Sequence, residues 1–249
     1  MKKQSNSYTL IYSIGLVFLV GVLLSIVYQA LKPMQDQNIA DDKKKQILSA
    51  ALVVPTADES ISELYDKTIV DAYVVNSSGE KVSADANADA FDVDVAAEVK
   101  KPADERLLPV FVANTDKGVK YILPIYGAGL WGPIWGYVSF NADGQTIYGA
   151  YFAHQGETPG LGAEIETSAF QSQFSGKSLF RDDEFRSLAV SKVGQEPTDR
   201  DYVHAISGGT ITSQGVGAMF ENSLAPYESF FKQLKLNAKY YVPCQRLLK

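Results

Sequence analysis

The segment Ile206-Ser207-Gly208-Gly209-Thr210-Ile211-Thr212-Ser213 gathers hydroxyls and glycines where a β-branched run gives way to a helix start. Backbone N–H groups converging at a glycine pair, the positive end of a helix dipole and the hydroxyls of Ser207, Thr210, Thr212 and Ser213 together suit a phosphate. A strand-to-helix turn with Thr212 or Ser213 as N-cap accounts for the same residues, and residue types alone leave both readings open. The pattern is neither G-x-x-x-x-G-K-[ST], whose lysine is missing, nor G-x-G-x-x-G. Nucleotide hydrolysis therefore has no support.

A second segment, His154-Gln155-Gly156-Glu157-Thr158-Pro159-Gly160-Leu161-Gly162-Ala163-Glu164, follows a strand-like run. Its glycines and proline fix a compact loop whose backbone can approach a flat ligand closely, or make an ordinary tight connection. A third, Gly127 to Gly136, sets both tryptophans, Trp131 and Trp135, among glycines; such tryptophans more often serve as core or anchor residues than as cofactor contacts. With only two histidines, His154 and His204, and no G-x-S-x-G or H-E-x-x-H, no catalytic set and no metal site emerges. Cys244 is the only cysteine, which excludes an internal disulfide and a thiolate cluster within the chain. The net charge of −6 and the lack of a clustered basic face argue against a nucleic-acid partner.

The elements that must position these segments begin with Leu10 to Leu31, uncharged between Lys3 and Lys32 and long enough to cross a bilayer core. It is too long for the apolar stretch of a signal peptide and lacks a small-x-small cleavage site. Residues 1–32 thus read as a transmembrane anchor, 33–57 as a polar helical linker and 58–249 as one folded domain. Lysines flank the apolar stretch on both sides, so charge counting gives no topology. Ser60-Ile61-Ser62-Glu63 has the capping-box spacing and starts a short helix that feeds a strand from Thr68 to Val75. Residues 84–99, alternating Asp and Ala before Phe91-Asp92-Val93-Asp94-Val95, read as a solvated edge strand. Pro109 to Ala113, Val119 to Tyr126, Ile134 to Phe140 and Thr146 to Ala153, separated by turn-forming residues, predict a four-stranded antiparallel sheet. A helix over 168–174, strands near 187–193 and 202–206, a helix from Thr212 or Ser213 and another from Pro226 to about Leu236 complete the chain. The absence of regular βαβ alternation indicates an α+β class: an antiparallel sheet with flanking helices, preceded by one N-terminal transmembrane helix.

The apolar anchor, Gly129-Leu130-Trp131-Gly132, the run Gly156 to Gly162 and Ser207-Gly208-Gly209-Thr210, in that order and spacing, resemble the C subunit of the sodium-translocating NADH:quinone oxidoreductase over nearly the whole chain. The glycine-loop run is the specific part of the match. The resemblance implies an FMN joined through its phosphate to the threonine of an Asp-x-x-Ser/Thr-Gly-Ala-Thr pattern by a flavin transferase that uses FAD. That threonine is Thr210, with Thr212 as the alternative; Gly209 replaces the alanine and His204 the aspartate. Ser207, Gly208, Gly209, Ile211, Thr212, Glu157, Thr158, Leu161, Gly162 and Trp131 would surround the cofactor, with Leu161, Trp131 or Trp135 covering a ring face and Glu157 and Glu164 lowering its potential by their charge. The implied role is a single-electron relay between redox centres of partner membrane and flavin subunits, with no bond-making side chain. The resemblance also implies a bacterial inner-membrane protein, crossing once, with its domain on the periplasmic side. The related G subunit of the Rnf-type ferredoxin:NAD oxidoreductase shares the flavin motif, but the length of the chain and the Gly156 to Gly162 run favour the quinone reductase. A membrane-anchored binding module without a cofactor is the alternative from another class.

Overall fold

The computed structural model describes residues 6–56, 59–82 and 90–240; Lys2, Lys3, Cys244 and part of the 84–99 segment lie outside them. The chain divides into two units, residues 1–43 and 44–249. Helix α1 (Asn6–Ala50) carries Pro33 inside it, and residues 6–39 are exposed along its length. Its apolar stretch is long enough to cross a membrane, and apolar surface of that extent calls for lipid or protein cover. Ile47, Leu48 and Ala50 of its final turns are buried.

In the second unit, α2 (Ile61–Thr68) begins at Ser60, whose hydroxyl accepts the Glu63 N–H at 3.2 Å. It leads into β1 (Ile69–Val75) of a five-stranded antiparallel sheet ordered β1-β2-β3-β4-β5, with β2 Leu108–Thr115, β3 Gly118–Ala128, β4 Pro133–Asn141 and β5 Ile147–His154. Side chains alternate along each strand, and the sheet buries both faces. Ala72, Val74, Phe111, Ile122 and Tyr137 pack against Ile47 and Ala50 on one face. Ser139 Oγ donates to Ala50 O at 2.6 Å, and Trp135 Nε1 to Gln46 Oε1 at 3.2 Å, on that same side. Leu123, Ile125, Ile134, Val138 and Phe152 line the opposite face.

That opposite face carries α5 (Thr210–Leu224) and α6 (Glu228–Tyr240), through residues such as Val216, Met219, Phe220 and Phe231. Phe152, Phe174 and Phe220 form an aromatic knot, with ring centroids 4.9 Å apart for the first pair and 5.1 Å for the second. Tyr227 is buried and donates its hydroxyl to Pro109 O at 2.8 Å; burial holds that hydroxyl well above the ordinary tyrosine range.

Several expectations change. The predicted four-stranded sheet gains β1 as a fifth strand at its edge. The described end of the expected edge strand is the short helix α3 (Val95–Glu98), because Asp94 caps it by accepting the Ala97 N–H at 3.1 Å and Glu98 turns inward to accept the Leu107 N–H at 2.9 Å. The 168–174 helix is α4 (Ser168–Gln171) followed by a 3-10 turn to Phe174. The strands expected near 187–193 and 202–206 are shorter, β8 (Ala189–Ser191) and β9 (Tyr202–His204), and pair in parallel; β6 (Phe180–Arg181) and β7 (Glu184–Phe185) make a hairpin before them. Ile47 is fully buried against the sheet, so Ile47→Ala should destabilise the folded unit by about 2–5 kcal/mol, read as a lowered thermal midpoint of the full chain in detergent.

Candidate functional site

The three segments singled out by residue type meet at one end of the sheet. Gly208 takes φ +76°, which an L side chain rarely adopts, and a Cβ there would lie 2.6 Å from Leu161 Cδ2. This backbone turn swings the chain from β9 into α5. The helix starts at Thr210, two or three residues before the expected place, with Gly209 at the N-cap position and no side-chain cap bond among the described residues. Thr212 and Ser213 are therefore not caps. They lie inside the first turn, buried, while Ile211 is exposed and Thr210 half-buried. Ser213 Oγ accepts the Ile206 N–H at 3.0 Å and ties the turn back on itself.

Glu157 joins the segments. It is 5% exposed, and both carboxylate oxygens accept hydrogen bonds: Oε1 from Trp131 N at 2.8 Å and Oε2 from Thr212 Oγ1 at 2.5 Å. Its own N–H donates to His154 Nδ1 at 3.2 Å, and His154 Nε2 faces Glu166 Oε1 at 3.8 Å. The glycines around it make room for this carboxylate. A Cβ at Gly162 would sit 2.2 Å from Glu157 Oε2 and 2.6 Å from Thr212 Oγ1, and one at Gly129 would sit 2.5 Å from Glu157 Oε1.

Around this buried junction the surface is open. Ser207, Gly208 and Thr158 are exposed, as are Leu130, Trp131, Leu161 and Ile211. Trp131 is 68% exposed, so it is not the core residue that tryptophan among glycines suggests; its backbone N–H is the part that is pinned. Trp135 belongs to the other face of the sheet, bonded to Gln46, away from the Thr210 turn. His204, at the position of the family's aspartate, is exposed, with its backbone N–H on Gln173 Oε1 at 2.9 Å and its ring edge-on to Tyr202. Among the described residues no group of three or more His, Cys, Asp or Glu could hold a metal ion.

A glycine turn opening an uncapped helix of 15 residues, with a half-buried threonine hydroxyl beside its first N–H groups, suits a phosphoryl group in charge and donor geometry. Residues 129–225, which contain every part of this junction, match the FMN-binding domain family. This match gives the class: residues 129–225 belong to the FMN-binding domain family, in a chain that also carries one long apolar helix near its N-terminus.

Within that class, the C subunit of the Na(+)-translocating NADH-quinone reductase of Pasteurella multocida is 35% identical over 237 residues, 84% of this chain and 89% of that protein. The protein of the same name from Neisseria meningitidis serogroup A is 33% identical over 244 residues, 90% of this chain and 94% of that one. The crystal structure of the same reductase's C subunit from Parabacteroides distasonis aligns with a TM-score of 0.74 at 48% identity, covering 81% of this chain and 96% of that chain. This chain belongs to the family formed by the C subunits of Na(+)-translocating NADH-quinone reductases.

Sequence reasoning named Glu157 as a flavin neighbour that tunes by charge and missed that it is buried and bridges two segments. The signal available was indirect: a carboxylate flanked by Gly129 and Gly162, each placed where no Cβ fits. Gly162→Ala should cost about 1–3 kcal/mol by overpacking this junction. Gly156→Ala, whose Cβ meets nothing within 4 Å, should change stability by less than about 0.5 kcal/mol; paired thermal melts compare them.

Proposed function

We propose that this chain is the electron-transfer subunit of a Na(+)-translocating NADH-quinone reductase, carrying FMN esterified through its phosphate to Thr210. The observation that carries the site is the start of α5: Thr210 half-buried at an uncapped N-terminus, beside exposed Ser207 and Gly208. Family membership and the match of residues 129–225 to the FMN-binding domain family support the cofactor.

In the attachment step, Thr210 Oγ attacks the phosphorus that bears the flavin in FAD. The new Oγ–P bond replaces the P–O bond to AMP, AMP leaves, and a base on the flavin transferase takes the hydroxyl proton. Of Thr210 and Thr212, only Thr210 is open to such a reaction, since Thr212 is 1% exposed and bonded to Glu157. The first-turn N–H groups of α5 and the hydroxyl of Ser207 would hold the remaining phosphate charge. Leu161, Trp131 and Ile211, exposed around the turn, offer apolar surface to a flat ring, with exposed Gly208 and Thr158 beside them; Gly209 and Gly162 lie buried beneath, the space at Gly162 taken by Glu157 and Thr212. Bound there, FMN supplies one-electron chemistry, and covalent attachment removes dissociation as a limit on turnover.

The relay runs between redox centres in partner subunits of the complex. The chain crosses the bacterial inner membrane once through residues 1–32, and the domain from residue 58 onward lies on the periplasmic side, joined by 33–57. The long apolar helix supports a membrane anchor.

Denaturing-gel fluorescence tests the reading. Co-expressed with a flavin transferase, the wild-type band should fluoresce and Thr210→Ala should be dark. A dark wild-type band sinks the covalent-flavin reading, and a fluorescent Thr210→Ala moves the linkage to another hydroxyl.

A further inference from the structure

Two threonines, 210 and 212, stand in the first turn of α5, and an enzyme that esterifies threonine with a flavin phosphate must distinguish them. We propose that Glu157 makes the choice: by holding the Thr212 hydroxyl inward it fixes the rotation of the first turn and presents Thr210, acting as the positioning residue for the modification. This rests on the reading of Thr210 as the FMN ester.

Successive residues of an α-helix turn by about 100°, so positions 210 and 212 point about 200° apart. A first turn that buries one of them therefore presents the other, and the choice reduces to what sets the rotation. Side-chain capping does not set it among the described residues, because Gly209 offers no side chain. Packing of Val216, Met219 and Phe220 orients the body of α5, and among the described residues two side-chain bonds hold its first turn. Ser213 Oγ accepts the Ile206 N–H at 3.0 Å, which closes the turn on its own preceding chain. Thr212 Oγ1 donates to Glu157 Oε2 at 2.5 Å, the bond that fastens the turn to another part of the domain.

Glu157 can act as a fixed point because it is itself held. Its Oε1 accepts from Trp131 N, its N–H donates to His154 Nδ1, and its carboxylate lies against the backbone of Gly129 and Gly162, in the space a Cβ would take. The two threonine hydroxyls differ accordingly. The Thr212 hydroxyl donates its proton to a buried carboxylate, so reaching a phosphorus atom would require breaking that bond and unwinding the turn. The Thr210 hydroxyl belongs to the half-open side. A buried carboxylate stripped of one donor also loses the solvation that keeps it in place, so removing either partner should loosen the same turn.

The test uses the full chain, expressed without transferase, purified in detergent and incubated with a flavin transferase and FAD. FMN incorporation per folded molecule is followed in time and located by peptide mass. Wild type should label at Thr210 alone. Thr212→Val, which keeps the side-chain shape, and Glu157→Ala should each slow labelling at Thr210 about tenfold or more, and the double variant should be no slower than the slower single one. Thr212→Ser, which keeps the donor, should recover the rate lost in Thr212→Val. A folded Thr212→Val that labels Thr210 at the wild-type rate overturns the proposal, as do losses that multiply in the double variant. Thr212→Val keeps the test valid if Glu157→Ala does not fold. A wild-type chain that takes up no FMN, or takes it at another residue, overturns the underlying reading as well.

Discussion

The hydrogen bond from Thr212 to the buried carboxylate of Glu157 holds together parts of the chain that are distant in sequence, spanning 55 residues. A carboxylate 5% exposed is tolerable only where its oxygens are satisfied, and here one is met by a helix and the other by the backbone of the β3–β4 turn. The arrangement constrains all three segments at once. The strand turn must bring Trp131 N–H to one oxygen, the 156–162 loop must fold tightly enough to bury its own glutamate, and α5 must start with Thr212 facing in. Each hydrogen bond to a charged group is worth roughly 1.5–3 kcal/mol, and losing a partner leaves the carboxylate unsatisfied.

That junction is precise because its supports are rigid. The five-stranded sheet fixes the ends of β3, β4 and β5 in register, and α5 is clamped to the sheet by Val216, Met219 and Phe220 on the face shared with the phenylalanine knot. The other face is closed by the end of α1 through Ile47 and Ala50. A site built on packed strands and a long helix holds its geometry better than one built on loops alone, which is what a fixed acceptor hydroxyl needs.

Much of this was legible from local pattern. The four central strands and their turns followed from β-branched alternation between Gly, Asn and Asp, and Ser60 capped its helix as its spacing indicated. What was missed depended on distant partners. The parallel pairing of β8 and β9 joins residues that no local pattern links. α5 starts ahead of the cap-like Thr212 and Ser213, because its N-cap position is held by a glycine, which has no side chain to signal it. The strand expected over 84–99 ended instead in a helix because Asp94 serves as a cap, and alternating Asp and Ala do not distinguish the two. Trp131 is exposed despite its residue type because it lies at a turn where its N–H is the engaged group. Glu157 is buried although Gly-Glu-Thr-Pro-Gly reads as a solvated loop.

On the proposed reading, one hydroxyl among several neighbours in this turn carries the flavin phosphate. Trypsin should release residues 201–232 as a single peptide, between Arg200 and Lys232, containing Ser207, Thr210, Thr212 and Ser213 together. Its fragmentation mass spectrum, taken from chain matured with a flavin transferase, is the most direct measurement. The mass of FMN, less water, should appear on fragments that include Thr210 and on none that begin at Ile211. The same mass on fragments beginning at Ile211, or its absence from the peptide, would contradict that reading.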